Sequence, residues 1–569
     1  MSSVVAPDFL PRESYASPSS RWFWLARINR CIGTLPIWIA APGIFLLALA
    51  PRLVNLQQPI VENYIDRQVH TAMMARNIAR GESLLYPQID IGPFPAYYML
   101  ECPIYPAQAA AVSAITGLAL DVAGRLVSAV AMAIACLLLF DVVRRQENRA
   151  VAFLAAAVMA LIPVTIRYGR AFQPDSMMIA SLVAGVWAMD RWSERGKRSW
   201  LFVAATATNS ALLLKVISAY VLLPLAYLAW KRWGSSGVRR WELWAALVIA
   251  IVPPAAWYLH AWHVAAGAAT VSTPFWQAHK WVSLERLSDL GTYRQLAYFI
   301  GLRVLTPIGI CLAAGGVLLR VRGQLGVNEE TPFEVPVPLL CSGESEKMNR
   351  YSSPESDSRI PHPDDTRLLF HVWLFSLAAY FPILVRKLDH EHYYLALAPV
   401  AAVFIARALA AIAAAPLVKQ CYVSGRTAAV GLGIGLVACN ALASRSTFRV
   451  PSEWRSVTAA AAAARELIPP DARVAAHSSV LFYADRRGFT VAYGPDEIEY
   501  LFETWGERTN EPTPTALLEF YRRQGAEYFV ELLGTARERN NPAFLDYVRT
   551  HYRVVREEPG QYVVVDLKG

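Results

Sequence analysis

The sequence predicts a polytopic α-helical membrane protein that ends in a soluble α/β domain. Of the 569 residues, 55% are hydrophobic and only 17% are charged, which is too apolar for a soluble protein of several domains. Long apolar runs recur up to about residue 445, and from about residue 451 the composition becomes that of a water-soluble unit. These observations separate a membrane domain, residues 1–445, from an outer domain, residues 451–569.

Apolar runs of bilayer length define the predicted membrane spans. A helix that crosses the hydrocarbon core needs about 20 predominantly apolar residues. By that criterion we predict about 11 spans. They cover residues 34–51, 124–143, 150–167, 176–190, 200–213, 216–230, 242–259, 296–318, 368–385, 393–412 and 427–443.

Positive charge sets the predicted orientation. Lys and Arg cluster in the connections 144–149, 191–198 and 231–240, and short cytoplasmic loops retain such charge during insertion. All three connections are cytoplasmic if the N-terminus lies inside and segment 103–118 is an interfacial helix rather than a span. An odd number of spans then places the C-terminal domain outside. The net charge of +9 follows from these span ends and does not predict a nucleic-acid partner.

The predicted first outer loop, residues 52–123, carries unusual charge. It contains Asp66, Arg67, Asp90 and Glu101 between stretches apolar enough to rest among lipid headgroups. This pattern favours interfacial helices over a simple connection. It also suggests chemistry on a charged lipid at the membrane surface.

Two further regions differ from the spans. Residues 325–366 are rich in Pro, Ser and charge and are predicted to form a flexible cytoplasmic insert. In the C-terminal domain, RVAAHSS, FTVAYG and AEYFVEL are typical of strands, and PTALLEFYRRQG is typical of an amphipathic helix. The ending YRVVREEPGQYVVVDL predicts a hairpin that turns at Pro559-Gly560.

Five short motifs occur in an order that resembles a known family. They are RQVHTAMMARNIARG after Asp66, ECPIYP, RYGRAFQPDSMMIA, LLLKVISAYVLLP and DHEHYYLALAP. Together they resemble the GT-C glycosyltransferases that use polyprenyl-phosphate sugars, in particular the bacterial family 39 branch. That branch includes the lipid A aminoarabinose transferases and is related to the protein O-mannosyltransferases. The resemblance covers most of residues 35–445.

The resemblance implies a GT-C fold and an inverting glycosyltransferase in the bacterial inner membrane, with its active site outside the cytoplasm. Its donor would be a polyprenyl-phosphate sugar and its acceptor a lipid, a glycan or a protein. Such chemistry needs a carboxylate to take the acceptor proton and cations to stabilise the leaving phosphate. The matching positions are the carboxylates Asp66, Glu101 and Asp175, the donor-phosphate ligands Arg67, Arg170 and Lys215, and His392 as a ligand of a possible divalent cation.

Several alternatives stay open at the level of sequence. Members of the family have Asp-Glu where this chain has Asp66-Arg67, so Glu62 or Asp90 could be the base instead. Asp66 and Asp175 also fit helix-capping positions, and the amine of Lys215 could reach the interface by snorkelling. A transporter or flippase for lipid-linked saccharides is the alternative function. Transporters usually show internal repeats with charges at mid-membrane, whereas here the charges gather in one outer loop.

The orientation is testable with reporter fusions. We expect a fusion after residue 236 to report a cytoplasmic location and one after residue 450 to report an outer location, because of the Lys and Arg distribution. An outside signal from the first fusion, or an inside signal from the second, would contradict the shared outer location of the candidate site residues.

Overall fold

A computed structural model describes residues 36–62, 64–267, 282–319, 368–388, 390–415, 424–535 and 539–568. Most of the described residues up to Phe448 are helical, and a mixed α/β unit follows. The predicted insert 325–366 lies outside the described residues.

The helical part contains sixteen labelled α-helices among the described residues. Every one of the eleven predicted apolar runs is helical for most of its length. The helices are α1 (Ile37–Leu53), α2 (Ile65–Ala79), α3 (Ile104–Thr116), α4 (Leu120–Gln146), α5 (Arg149–Leu161), α6 (Pro163–Tyr168), α7 (Asp175–Arg195), α8 (Arg198–Leu214), α9 (Leu222–Trp233), α10 (Trp241–Gly267), α11 (Leu284–Ser288), α12 (Leu290–Tyr298), α13 (Thr306–Leu318), α14 (Leu369–Leu384), α15 (Ala398–Ala414) and α16 (Gly425–Ser444).

Two breaks lie inside predicted runs, and a further break, at Lys215, lies between the runs 200–213 and 216–230. The run 150–167 divides at Ile162, because Pro163 favours an extended residue before it and starts the short helix α6. Lys215 is extended and ends α8 before the 3₁₀ turn Val216–Val221. Helices α12 and α13 belong to one apolar run that bends by 102°.

Four helical stretches in the described part of the chain are long and apolar enough to cross a membrane by themselves, and the bent pair raises this number to five. The four are Leu120–Gln146, Trp241–Gly267, Glu391–Ala414 and Gly425–Phe448. Helices α1, α5 and α14 are apolar but shorter. The chain is therefore a multi-pass helical membrane protein, and the number of 11 spans stays a prediction.

The first outer loop folds into two short helices joined by an irregular segment. Helix α2 follows the start of the loop, and α3 occupies the segment predicted to lie at the interface. Between them, Gln88 and Tyr97 form an antiparallel bridge. Helix α3 ends at Gly117, whose φ of 71° suits a residue without a Cβ atom.

The C-terminal unit is a five-stranded sheet flanked by helices. Its strands are β1 (Val474–Ala476), β2 (Gly488–Thr490), β3 (Tyr528–Leu532), β4 (Arg553–Glu558) and β5 (Tyr562–Asp566), and its helices are α17 (Val457–Leu467), α18 (Ser478–Ala484), α19 (Pro495–Thr504), α20 (Pro514–Arg523) and α21 (Pro542–His551). The spatial order is β2-β1-β3-β5-β4. Strand β1 is parallel to β2 and β3, whereas β5 is antiparallel to β3 and β4.

Two details of the C-terminal prediction need correction. In RVAAHSS only the first half is a strand, because the His477 side chain accepts a hydrogen bond from the Ser479 amide and caps helix α18. In FTVAYG the strand ends at Thr490. The strand in AEYFVEL and the closing hairpin agree with the prediction.

The outer domain is attached to the first outer loop by backbone pairing at the edge of its sheet. Gly488 accepts a hydrogen bond from the Gly92 amide at 2.8 Å and donates one to the Asp90 carbonyl at 2.9 Å. A Cβ atom at residue 488 would lie 1.8 Å from the Val474 carbonyl oxygen, so this position requires glycine. Nearby, Arg76 forms an ion pair with Asp90 at 2.6 Å and with Asp485 at 3.1 Å. The outer domain and the loop are therefore one packed unit.

Candidate active site

Asp66 lies at the start of helix α2, exposed at the contact between the first outer loop and the outer domain. Its Oδ1 accepts a hydrogen bond of 2.5 Å from the Ser478 hydroxyl. Tyr64, two residues earlier, has a φ of 56°. Such a conformation costs a non-glycine residue about 1–3 kcal/mol and occurs preferentially at functional sites.

A cavity of about 340 Å³ opens beside Asp66. The first outer loop, the segment after helix α16 and the outer domain each form part of its wall. Residues that line it include Glu62, Tyr64, Asp66, Ser446, Trp454 and His477. The structure thus combines an exposed carboxylate with a pocket large enough for a small polar ligand.

Glu101 pairs with Arg67 rather than pointing freely into the cavity. Arg67 is 8% exposed, donates a hydrogen bond to Glu101, and contacts the Tyr98 hydroxyl at 2.6 Å. Burial raises the pKa of Tyr98 to about 12. The two predicted residues therefore pair with each other, and neither lines the cavity beside Asp66.

Asp175 and Lys215 form a second ion pair. Their side chains are 1% and 5% exposed, and the Lys215 amine lies 2.8 Å from Asp175 Oδ1. Asp175 is the first residue of helix α7, where the helix dipole also favours a negative charge. Lys215 therefore does not reach the interface by snorkelling, because its amine is bonded to a buried carboxylate.

Tyr393 lies beside the second ion pair. The Lys215 amine lies 5.5 Å from the centre of its ring.

His392 belongs to an aromatic cluster. Its ring lies 5.6 Å from that of Tyr64 and 4.2 Å from that of Tyr393, and His390 stacks against it at 5.8 Å. Among the residues that the structure describes, no three His, Cys, Asp or Glu side chains are placed to hold a metal ion. The carboxylates of Glu101 and Asp175 each face a cation instead, and the divalent cation stays a prediction.

Arg170 is bonded to the start of the first outer loop. Its fully buried guanidinium donates hydrogen bonds to the carbonyls of Val54 at 2.5 Å and Asn55 at 2.8 Å. It also lies 3.6 Å from Glu62. Because these partners occupy it within the protein, Arg170 holds the start of the first outer loop, and we no longer assign it to the donor phosphate.

The two alternative bases are enclosed in ion pairs. Glu62 is 4% exposed and lies 3.3 Å from Arg125. Burial raises the pKa of Glu62, and the positive charges of Arg125 and Arg170 oppose that shift. Asp90 is 1% exposed and is bound by Arg76. Asp66 is thus the exposed carboxylate among the three candidates.

Several residues of the site were not predicted from the sequence. Glu391 forms ion pairs with Arg167 and, at 3.1 Å, with Arg303. The motif DHEHYY contains Glu391, but the sequence predicted a role only for its histidine His392. Ser478, Trp454 and His477 belong to the outer domain, and no sequence signal relates them to Asp66.

Part of the chain matches a family of known glycosyltransferases. Residues 101–259 match the family described as dolichyl-phosphate-mannose-protein mannosyltransferase. A segment of 87 residues is 32% identical to the Bacillus subtilis (strain 168) protein YycA, which is described provisionally as a mannosyltransferase. The segment spans 15% of this chain and 13% of YycA.

The whole fold is similar to solved membrane glycosyltransferases. ArnT from Cupriavidus metallidurans, bound to undecaprenyl phosphate, has a TM-score of 0.56 at 13% identity, covering 96% of this chain and 98% of ArnT. The Archaeoglobus fulgidus oligosaccharyltransferase, in complex with Zn and sulfate, has a TM-score of 0.50 at 12% identity, covering 86% of this chain and 67% of that one. The predicted resemblance to GT-C glycosyltransferases and the GT-C fold are therefore confirmed.

The buried pair of Asp175 and Lys215 gives a stability prediction. We expect Lys215→Met to lower the free energy of unfolding by about 3–5 kcal/mol, because it leaves the Asp175 carboxylate buried without its cation. The double variant Asp175→Asn, Lys215→Met should recover part of this loss, since neither charge remains. Thermal unfolding of the purified protein in detergent measures both. A double variant no more stable than Lys215→Met would contradict the charge-pair explanation.

Proposed function

We propose that this protein is an inverting glycosyltransferase that moves a sugar from a polyprenyl-phosphate donor to an acceptor outside the cytoplasm. The proposal rests mainly on one observation. The Asp66 carboxylate is exposed beside a cavity, whereas other charged side chains of the candidate site are buried in ion pairs. The shared fold supports it, because ArnT binds undecaprenyl phosphate. In the same proposal the protein resides in the bacterial inner membrane, with its site and its C-terminal domain on the outer side.

In this mechanism Asp66 is the general base. The acceptor hydroxyl gives its proton to the Asp66 carboxylate while its oxygen attacks the anomeric carbon of the donor sugar. The bond from that carbon to the phosphate oxygen breaks on the opposite face, and the electron pair leaves with the phosphate. A single displacement of this kind inverts the configuration at the anomeric carbon.

Arg67 and Lys215 are proposed to stabilise the leaving phosphate. Arg67 has five N–H donors and Lys215 has three, so each can bind a phosphate oxygen while it keeps its carboxylate partner. Arg303, which is 33% exposed beside Glu391, is a further cation for this task. Glu101 and Asp175 then act through these cations by fixing their positions.

Turnover of donor by the purified protein tests the function. The full chain in lipid nanodiscs is incubated with a panel of polyprenyl-phosphate sugars, and release of polyprenyl phosphate is followed. A glycosyltransferase releases it from at least one donor. A transporter or flippase would instead move the intact donor between leaflets without releasing phosphate.

Asp66→Asn should lower the transfer rate by about 10²–10⁴-fold, because an amide keeps the size of the side chain but cannot take the acceptor proton. Asp485→Asn is the matched control: it removes a partly buried carboxylate charge from the same domain contact, where Asp485 pairs with Arg76 and Arg80. We expect the control to retain activity. An Asp66→Asn rate within about threefold of the unmodified protein would remove Asp66 from the role of base.

The hydrogen bond from Ser478 should affect the pH dependence of transfer. A hydrogen bond donated to a carboxylate favours its charged form. Ser478→Ala is therefore expected to move the acidic limb of the rate profile to higher pH. Ser479→Ala is the control, since this neighbouring buried hydroxyl contacts the Ile60 carbonyl at 3.4 Å and not the base. Identical profiles for the two variants would show that Ser478 does not act on Asp66.

A further inference from the structure

The cavity beside Asp66 is formed by three separate parts of the chain. Glu62, Tyr64 and Asp66 belong to the first outer loop, Ser446 follows the last helix of the membrane part, and His477 belongs to the outer domain. Because Ser478 is bonded to Asp66, the outer domain is held directly against the proposed base. A ligand in this cavity would contact both domains at once.

An aromatic platform forms one wall. The ring of Trp454 is half-buried and lies 4.6 Å from the ring of His477. Trp454 lines the cavity although it belongs to the linking segment before helix α17. The face of an indole ring carries partial negative charge, and it attracts the slightly positive C–H groups of a pyranose ring.

Two acidic side chains also line the cavity. They are Glu62, which is paired with Arg125, and Asp66, whose ionised carboxylate accepts hydrogen bonds. The cations that balance Glu62, Arg125 and Arg170, are fully buried. Of the described residues that line the cavity, none is a Lys or an Arg. The negative charge here would repel a phosphate group, whereas the hydroxyl groups of a sugar ring could donate hydrogen bonds to these carboxylates.

We propose that this cavity binds a saccharide unit of the acceptor, with one hydroxyl directed at Asp66. This inference rests on the proposed transferase function and narrows its acceptor to a glycan or a glycan-bearing lipid. The volume of about 340 Å³ is at the lower end of the range of roughly 300–1,000 Å³ that small-molecule pockets occupy, as a short saccharide requires.

Trp454 is then a specificity residue for the acceptor. Its ring should orient the sugar so that one hydroxyl meets the base. The donor phosphate, which we place at Arg67 and Lys215, does not depend on this ring. Loss of the ring should consequently raise the KM for the acceptor much more than the KM for the donor.

Binding of defined probes tests the inference without turnover. Methyl glycosides of glucose, galactose, mannose and N-acetylglucosamine form one arm, a threonine-containing peptide the second and glycerol phosphate the third. Saturation-transfer NMR on the full chain in detergent reports contact with each. We expect saturable binding in the saccharide arm. Preferential binding of the peptide or of glycerol phosphate would overturn the proposal.

Variants locate the binding in the cavity. Trp454→Ala should weaken saccharide binding by about tenfold, in line with the loss of one aromatic contact, and Trp454→Phe should retain most of it. Trp241→Ala removes an exposed indole at the end of helix α10 and should change nothing. If Trp454→Ala does not fold, saccharide binding is measured with Trp454→Leu instead, because leucine keeps an apolar side chain without the aromatic ring. Unchanged binding in the folded variant would refute the assignment.

Donor turnover separates this inference from the proposed function. Saccharide binding that depends on Trp454, without release of polyprenyl phosphate from any donor, would contradict the transferase and leave the binding site standing. Transfer that continues with an unchanged acceptor KM in Trp454→Ala would contradict the site and leave the transferase standing.

Discussion

The need to neutralise buried charge governs how the region around the proposed site is built. A carboxylate or a cation that is removed from water costs several kcal/mol unless a partner of opposite charge meets it. Asp175 meets Lys215, and Glu391 meets Arg167. Each pair joins segments that are distant in sequence. The pairs therefore fix the relative positions of the helix ends around the proposed site, and they explain why so many charges lie in a largely apolar chain.

Against this background Asp66 is exceptional. The other acidic candidates of the first outer loop form ion pairs with arginines. Asp66 is exposed, and it accepts a hydrogen bond from the neutral hydroxyl of Ser478. A base must be able to accept a proton from a ligand, and a carboxylate enclosed by a guanidinium is poorly suited to do so. Its exposure thus distinguishes Asp66 from the buried carboxylates Glu62 and Asp90.

The outer domain has a direct relation to this site. Its sheet extends through Gly488 to the first outer loop, and helix α18 brings Ser478 to Asp66. The domain is consequently placed to influence both the base and the shape of the adjoining cavity. In the proposed mechanism this gives acceptor selection to a part of the chain that lies outside the membrane helices, where it can vary without disturbing the buried ion pairs.

The sequence by itself determined the helical class, the apolar segments, the order of motifs and the closing hairpin, because hydrophobic periodicity and turn residues act over short distances. It also pointed to Asp66, Arg67, Glu101, Asp175 and Lys215. Only the tertiary structure decided which of these charges pair with each other. It paired Arg170 with Glu62 and placed Ser478 beside the proposed base. Contacts between residues far apart in the chain depend on how the helices and the outer domain pack, and the local sequence does not determine that packing.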